Sequence, residues 1–477
     1  MVFKINIMES IADSYQVILL LYAVLIFATY IYLAYLSFGQ LKKYINKNSF
    51  VNYDVLLSSE FAPQLSLIAP AYNEAVTIEE NVKSLLSLNY NNYEVIVVND
   101  GSKDNSMEVL IGTYDLVPVD LVYETKISTK NIKCIYKSRN NAFKKLLVVD
   151  KENGGKADAL NVGMNVSSYP YTVCIDVDCV LDKDSLLKLA KPFLELTDKR
   201  VIATGGVVRI ANQCVIEDGR LKEIAIPDKM LPRIQVLEYL RAFLLGRMAW
   251  ERLDGLLLIS GAFGAFDKEI ALLAGGYNTN TVGEDMELVV RMRRYMFEQK
   301  LPYTVSFIPD PLCWTEAPET FGVFKRQRSR WMRGTIETLW IHRKMFLNPK
   351  YKLMGMLSMP YWFLFEFLAP FIEFSGLVVT IVFACLGMIR WEFSLLMILI
   401  VYFFAVMLSV FALYTEERTY HKYSKIIDFL KLLVCVLIEP FYFHSIVVYS
   451  ALVGYVEKIR GSHGWGEMTR TGFQKKS

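Results

Sequence analysis

Histidine is scarce in this 477-residue chain, with four residues (His342, His421, His444, His463) and no two of them at metal-ligand spacing, which argues against a zinc site. The seven cysteines (Cys134, Cys174, Cys179, Cys214, Cys313, Cys385, Cys435) are scattered and form no CxxC pair. They indicate no disulfide framework and read as reduced, packed thiols in a cytosolic or membrane setting. Net charge is small, at +3, so charge alone gives no reason to expect nucleic acid or a strongly acidic partner. No GxxxxGK[ST] loop is present, which removes P-loop phosphate binding, and no internal repeat or low-complexity segment is evident.

What is abundant is apolar sequence. At 53% hydrophobic the chain is too apolar for an ordinary soluble protein, and at 21% charged it is too polar for an all-membrane bundle. It should therefore have two parts: a soluble domain of roughly 300 residues with its own core, and segments that need a bilayer. Residues 15–38 are an uncharged apolar run long enough to cross about 30 Å of hydrocarbon. The run is too long for a cleavable signal peptide, and no small-x-small site follows it before Lys42, Lys43 and Lys47. That basic flank places the next domain in the cytosol.

From residue 64 to about residue 318, short β-branched runs alternate with amphipathic stretches, the pattern of a mainly parallel α/β sheet. Strands are expected over residues 65–69, 94–99, 131–136, 171–176, 201–210 and 303–308. A helix between the first two carries Thr77 and Glu80 as a capping box. Residues 113–144 read as an excursion from the sheet. Beyond Trp331 the chain turns amphipathic and then apolar over residues 356–388, 393–414 and 426–456, the first broken by Pro360 and Pro370 and carrying Glu366 and Glu373. Carboxylates at that depth should face protein or a polar cavity, or else lie wet at the interface. The loop with Arg418, Lys422 and Lys425 and the tail with Lys458, Arg460, Arg470, Lys475 and Lys476 both read as internal. Either the last apolar segment enters and returns, bending at Glu439-Pro440, or it is one tilted span with an external tail. The expected organisation is thus a membrane helix and basic flank (1–48), a catalytic domain (49–334), an amphipathic interface segment (335–355), a membrane region (356–456) and a basic tail (457–477).

Polar groups gather at the carboxyl ends of the expected strands, where open parallel sheets bind ligands. The first strand runs into Asn73-Glu74 and the second into Asp100-Gly101-Ser102, where Asp100 can accept from a ribose or uracil or can simply make a turn. Asp176-Val177-Asp178 puts two carboxylates on one face of an extended end. A divalent Mg2+ or Mn2+ shared with a diphosphate would relieve their repulsion. Asn153-Gly154-Gly155-Lys156 is a glycine turn before a helix, whose amides and ammonium favour phosphate. Ser260-Gly261-Ala262-Phe263 mixes small and aromatic residues. Glu284 and Asp285 open a helix running to about residue 297, and either supplies a carboxylate suited to taking a hydroxyl proton or merely complements the helix N-terminus. Gln327-Arg328-Ser329-Arg330-Trp331 lies on a basic helix just before the membrane part. There Trp331 can stack on a sugar and Arg330 can bind diphosphate, or the stretch can sit on lipid.

The order of these motifs resembles the processive family 2 inverting glycosyltransferases of the GT-A fold, such as the cellulose, chitin, hyaluronan and poly-N-acetylglucosamine synthases. The resemblance rests most on Asp100, Asp176-Val177-Asp178, Glu284-Asp285 and QxxRW at 327–331. It implies a Rossmann-like GT-A domain in the cytosol attached to α-helical transmembrane segments. It also implies that Asp100 and Lys156 contact the nucleotide, that Asp178 holds the metal with Asp176 supporting the diphosphate, and that Asp285 is the catalytic base. Gln327, Arg330 and Trp331 would position donor and acceptor, and Ser260 and Gly261 would lie beside the acceptor end. Gly283 stands where cellulose synthases carry threonine, which weakens cellulose as the product. No PilZ-like segment follows the membrane part, so control by cyclic-di-GMP within the chain is not expected. The ending 464–473, with Gly464-Trp465-Gly466-Glu467, resembles those of many bacterial members. The implied partners are a nucleotide-sugar donor, a glycan or lipid acceptor, membrane lipid and export proteins, without nucleic acid. The expected activity is processive transfer from a UDP-sugar, UDP-N-acetylglucosamine ahead of UDP-glucose, in a bacterial plasma membrane. Synthesis of a glycolipid or lipid-linked saccharide, and a catalytically silent scaffold, are the alternatives.

Overall fold

A computed structural model describes residues 2–195, 198–217, 219–389 and 391–461, with side chains from residue 14 onward. His463, Arg470, Lys475, Lys476 and the 464–473 ending lie outside the described residues. The soluble part is built on a ten-stranded sheet. Its strands are β1 (Leu65–Ala71), β2 (Tyr93–Asn99), β3 (Leu116–Pro118), β4 (Ile132–Ser138), β5 (Leu146–Lys151), β6 (Tyr171–Ile175), β7 (Val180–Leu181), β8 (Arg200–Ile210), β11 (Phe263–Asp267) and β12 (Tyr303–Thr315). A separate hairpin joins β9 (Val215–Glu217) to β10 (Arg220–Glu223). The strand order is β3-β4-β5-β2-β1-β6-β11-β8-β12-β7. β5, β2, β1 and β6 run parallel, as do β8 and β12, whereas β11 is antiparallel between β6 and β8. The central strands are fully buried runs such as Val95-Ile96-Val97-Val98, as a parallel sheet covered on both faces requires.

Three expectations need correction here. Residues 113–144 are not outside the sheet, since they supply β3 and β4 as its antiparallel edge. The capping box is not formed either. Thr77 precedes the helix Ile78–Leu86 in a helical conformation without capping it, and its hydroxyl instead donates to Glu74 Oε2 at 3.1 Å. Finally, β6 stops at Ile175, so Asp176-Val177-Asp178 is a turn, closed by Cys179 N–H to Asp176 O at 2.9 Å, and not an extended end.

Helix α1 (Val2–Asn48) leads into the domain. α2 is Ile78–Leu86, α3 is Lys156–Val166, α4 is Glu284–Glu298 and α5 is Phe321–Ile341. The last runs through Gly334 without a break and carries QxxRW into what was expected to be a separate interface segment. Beyond it come α6 (Ala369–Cys385), α7 (Trp391–Thr419) and α8 (Ile426–Ile459). Among the described residues three helical stretches are long and apolar enough to cross a membrane: Ser14–Asn48, Met354–Cys385 and Trp391–Thr419. Around Pro360 the second stretch widens into π-helical turns at Met354–Ser358 and Trp362–Phe367, which accommodate the missing proline N–H, and Pro370 opens α6 where no N–H is needed.

The last apolar segment does not return on itself. α8 is continuous through Pro440, and it packs its buried face along the domain: Phe443 against Phe324 of α5, and Cys435 Sγ 3.9 Å from Met230 Sδ. One crossing by each of the three stretches above returns the chain at Thr419 to the side of the sheet domain. Buried ion pairs fasten the two parts together. Arg209 at the end of β8 meets Glu416 of α7, and Arg241 grips both oxygens of Glu439 in α8 at 2.7 and 2.8 Å. Removing one member of such a pair strands a buried charge, a loss of roughly 3–5 kcal/mol.

Candidate active site

Parallel pairing aligns the carboxyl ends of β1, β2 and β5, with Ala71 opposite Asn99 and Asn99 opposite Asp150. Asn73 sits in the left-handed region at φ 57°, its Oδ1 accepting from Lys103 N–H at 2.8 Å and its own N–H donating to Ser102 Oγ at 3.0 Å. Glu74 N–H donates to Ser106 Oγ at 3.0 Å. Asn73 and Glu74 therefore stitch the two strand-end loops together.

Asp100 is buried, and its carboxylate is turned to the chain. Oδ1 accepts from Lys151 Nζ at 2.5 Å and from Gly154 N–H at 2.9 Å, and Oδ2 accepts from Gly155 N–H at 2.7 Å. The Gly154 and Gly155 amides donate to Asp100, whose carboxylate shapes that turn. Lys151, fully buried, also meets Asp158 at 2.7 Å, so one ammonium neutralises two carboxylates beneath the turn. Lys151 and Asp158 went unassigned in the sequence. The signal was an apolar strand ending in lysine directly before the glycines, but its partner Asp100 is 51 positions away.

The turn releases Lys156 into the centre of the site. Its ammonium contacts Asp176, lies 3.7 Å from Glu284 Oε1 and donates to Gly261 O at 3.4 Å. Burial alone would lower the Lys156 pKa, but Asp176, Glu284 and Asp285 outweigh it and hold the group above the ordinary lysine value. Burial pushes the Glu284 carboxyl up to about 7, Asp285 adds to the rise, and Lys156 opposes it. Asp285 is only half-buried, and its Oδ2 accepts from Gly261 N–H at 2.9 Å. Gly261 reaches it because antiparallel β11 begins beside the end of β6, with Phe263 opposite Ile175 and Asp176 N–H donating to Ala262 O at 3.3 Å. A Cβ on Gly261 would lie 3.1 Å from Asp285 Oδ2, so the glycine permits the approach. Ser260 lies in the same turn, its Oγ accepting from Ala262 N–H at 3.4 Å.

Lys156, Asp176, Gly261, Glu284 and Asp285 thus converge as expected, with Asp178 buried in the adjoining turn. Helix α5 closes on this group through a backbone-to-backbone contact: a Cβ on Gly334 would sit 2.7 Å from Gly283 Cα. A side chain at Gly283 would have no room, because α5 passes against it. One turn earlier Trp331 is exposed, with the Arg328 guanidinium 4.0 Å from its ring, and Arg328 is anchored on Glu238 at 2.5 Å. Gln327 is buried, its Oε1 lacking a hydrogen-bond partner, and Arg330 is close enough for its charge to act on Glu284.

The donor set also bears on a cation. Asp176 and Asp178 supply hard oxygens of the kind magnesium and manganese take, yet among the described residues no three carboxylate, histidine or cysteine side chains are grouped to hold an ion. Two carboxylates fit an ion completed by phosphate oxygens, not one held by protein alone.

The sequence model of glycosyl transferase family group 2 matches residues 171–410, half of the chain, and that of glycosyl transferase family 2 matches residues 66–214. The chain belongs to this glycosyltransferase family. A poly-beta-1,6-N-acetyl-D-glucosamine synthase of Staphylococcus epidermidis is 29% identical over 304 residues, 63% of this chain and 62% of that protein. One from Staphylococcus aureus is 30% identical over 297 residues, 62% of this chain and 58% of its own. The chain therefore spans about 60% of the length of these relatives. A mannosyltransferase of Pyrobaculum calidifontis, solved with GDP-mannose and Mn2+, superposes with a TM-score of 0.50 at 17% identity, covering 92% of this chain and 99% of that one. That likeness bears out the GT-A type of α/β fold, and with three helices long and apolar enough to cross a bilayer among its described residues the chain is a membrane protein.

Proposed function

We propose that this family 2 glycosyltransferase is a processive synthase that extends a β-linked poly-N-acetylglucosamine from UDP-N-acetylglucosamine. The observation that carries the reading is the continuous contact from Lys156 through Asp176 and Gly261 to Asp285. One cation and several carboxylates meet there at the rim of the sheet, and the relatives polymerise the same sugar. Residues 49–334 form the transferase domain and extend into α5. The basic flank Lys42, Lys43 and Lys47 puts that domain on the cytosolic side of a bacterial plasma membrane.

Asp285, held by the Gly261 amide, accepts the proton of the acceptor hydroxyl as its oxygen bonds to the anomeric carbon of the donor. The bond from that carbon to the diphosphate oxygen breaks with its electron pair going to UDP, and the configuration inverts. The Lys156 ammonium faces the charge that develops on the diphosphate. Asp178 and Asp176 would hold a divalent Mg2+ or Mn2+ that further neutralises the leaving group. Trp331, backed by Arg328, offers a flat face for the acceptor sugar, while Gln327 and Arg330 supply donors near the donor phosphates. Asp100 and Lys151 act beneath, shaping the turn that delivers Lys156. Asn73 and Glu74 hold the loops that border the nucleotide.

Purified protein incubated with labelled UDP-sugars and manganese should give a ladder of long products from UDP-N-acetylglucosamine. A single sugar on extractable lipid would replace this reading with glycolipid synthesis. Three crossing helices among the described residues would make a thin wall for a pore, so export of the polymer would draw on partner proteins.

A further inference from the structure

Helix α8 has two unlike faces. Its buried side includes Leu432, Val436, Phe443, Ala451 and Gly454 against the domain, and its other side exposes Leu430, Val434, Leu437, Phe441 and Val456 at helical spacing. An apolar stripe of that length suits lipid, and part of it meets α7, where Phe441 stacks on Tyr402 with ring centroids 5.0 Å apart. The end of α8 reaches the candidate active site. A Cβ on Gly454 would lie 2.8 Å from the Ser329 carbonyl, so α8 touches the QxxRW turn of α5 backbone to backbone. Four residues on, Lys458 Nζ donates to Glu337 Oε1 at 2.7 Å.

Glu337 is a junction. It is nearly buried, its Oε2 accepts from Thr281 Oγ1 at 2.7 Å and from Val282 N–H at 2.9 Å, and Thr281 Oγ1 in turn accepts from Gly283 N–H at 3.1 Å. The next two residues are Glu284 and Asp285. One carboxylate outside every motif therefore fixes the segment that presents the base, and its other oxygen is held from α8.

We propose that Glu337 and Lys458 are positioning residues for sugar transfer, through which helix α8 holds the 281–283 segment and hence Asp285 in register with Lys156. The inference rests on the function proposed above for Asp285. A base displaced by about 1 Å loses on the order of 100-fold in rate while ground-state binding elsewhere is untouched, so the effect belongs in kcat.

The test uses the full-length protein in lipid nanodiscs with Lys458→Ala, Lys458→Arg and Glu337→Gln, of which the partly exposed Lys458 is the least able to disturb folding. Lys458→Ala and Glu337→Gln should lower kcat at least about tenfold with the KM for UDP-N-acetylglucosamine within twofold, and Lys458→Arg should restore most of the rate. Amide exchange should rise at Val282 and Gly283 in the first two variants and stay near wild type in the third. Unchanged kcat, or a Val282 amide as protected in Lys458→Ala as in wild type, overturns the proposal. If wild-type protein transfers no sugar, the reading of the reaction fails instead, and the exchange measurement still decides whether α8 holds the 281–283 segment.

Discussion

Replacing Gly334 with alanine tests whether the two halves of the site are held in register by direct backbone contact. The new Cβ would stand 2.7 Å from Gly283 Cα and 3.0 Å from Gly283 N, and neither atom can rotate away as a side chain would. Ordinary contact begins near 3.4 Å, so α5 and the segment before α4 must part by about 0.7 Å, or bend. Overpacking of this sort destabilises by about 1–3 kcal/mol, partly offset by the roughly 1 kcal/mol that alanine gains over glycine inside a helix. The larger effect should be on rate. Trp331 and Gln327 ride on α5 while Asp285 rides on α4, and a shift approaching 1 Å between acceptor platform and base lowers turnover by up to about 100-fold. The assay is incorporation of labelled N-acetylglucosamine by Gly334→Ala beside Gly322→Ala. The latter lies in the same helix but its Cβ would meet only Arg326 Nη1 at 3.8 Å. Equal rates for the two variants would refute the claim that this contact sets the register.

Three further outcomes follow from the charges. Glu284, raised to about 7 by burial and Asp285, contributes its stability in full below the ordinary carboxylate value near 4.5 and loses it as pH rises through 7. Melting curves should therefore show wild type losing about 3 kcal/mol relative to Glu284→Gln between pH 4.5 and 8, and a pH-independent difference would contradict the assignment. Lys151→Met leaves Asp100 and Asp158 buried without their shared cation and should cost roughly 3–5 kcal/mol in a denaturant titration, whereas a loss below 1 would show the cluster relaxing elsewhere. Arg209→Met leaves Glu416 alone where the sheet domain meets α7, and limited proteolysis should then cut near β8 faster than in wild type.

Much of this arrangement was legible because the central strands are local signals. Runs such as Val95-Ile96-Val97-Val98 announce buried parallel strands, and the polar residues that follow them fall at the binding edge of the sheet. β11 gave no such signal, because Gly264 must be small to pass Ile259, where a Cβ would lie 2.5 Å from Ile259 Cγ2. It was not among the expected strands, yet this strand is what brings Gly261 to Asp285. The fate of α8 was hidden for a different reason. Its composition suits a membrane span, but Asp428 and Glu439 lie on the face that the domain covers, and only the position of Arg241 reveals why Glu439 can be buried there. Asp100 was visible as a candidate carboxylate, but its bonds to Lys151 and the glycine amides were not. The lysine and amides that claim its oxygens are some fifty positions downstream, and no periodicity links them.

The central claim is that Asp285 removes the acceptor proton in a site whose donor pocket stands independently of it. Turnover and UDP affinity of Asp285→Asn, measured on one preparation by product labelling and calorimetry, test it most directly. The account predicts a rate lower by at least about 100-fold with UDP bound as in wild type. A variant that still extends glycan at a comparable rate would contradict it.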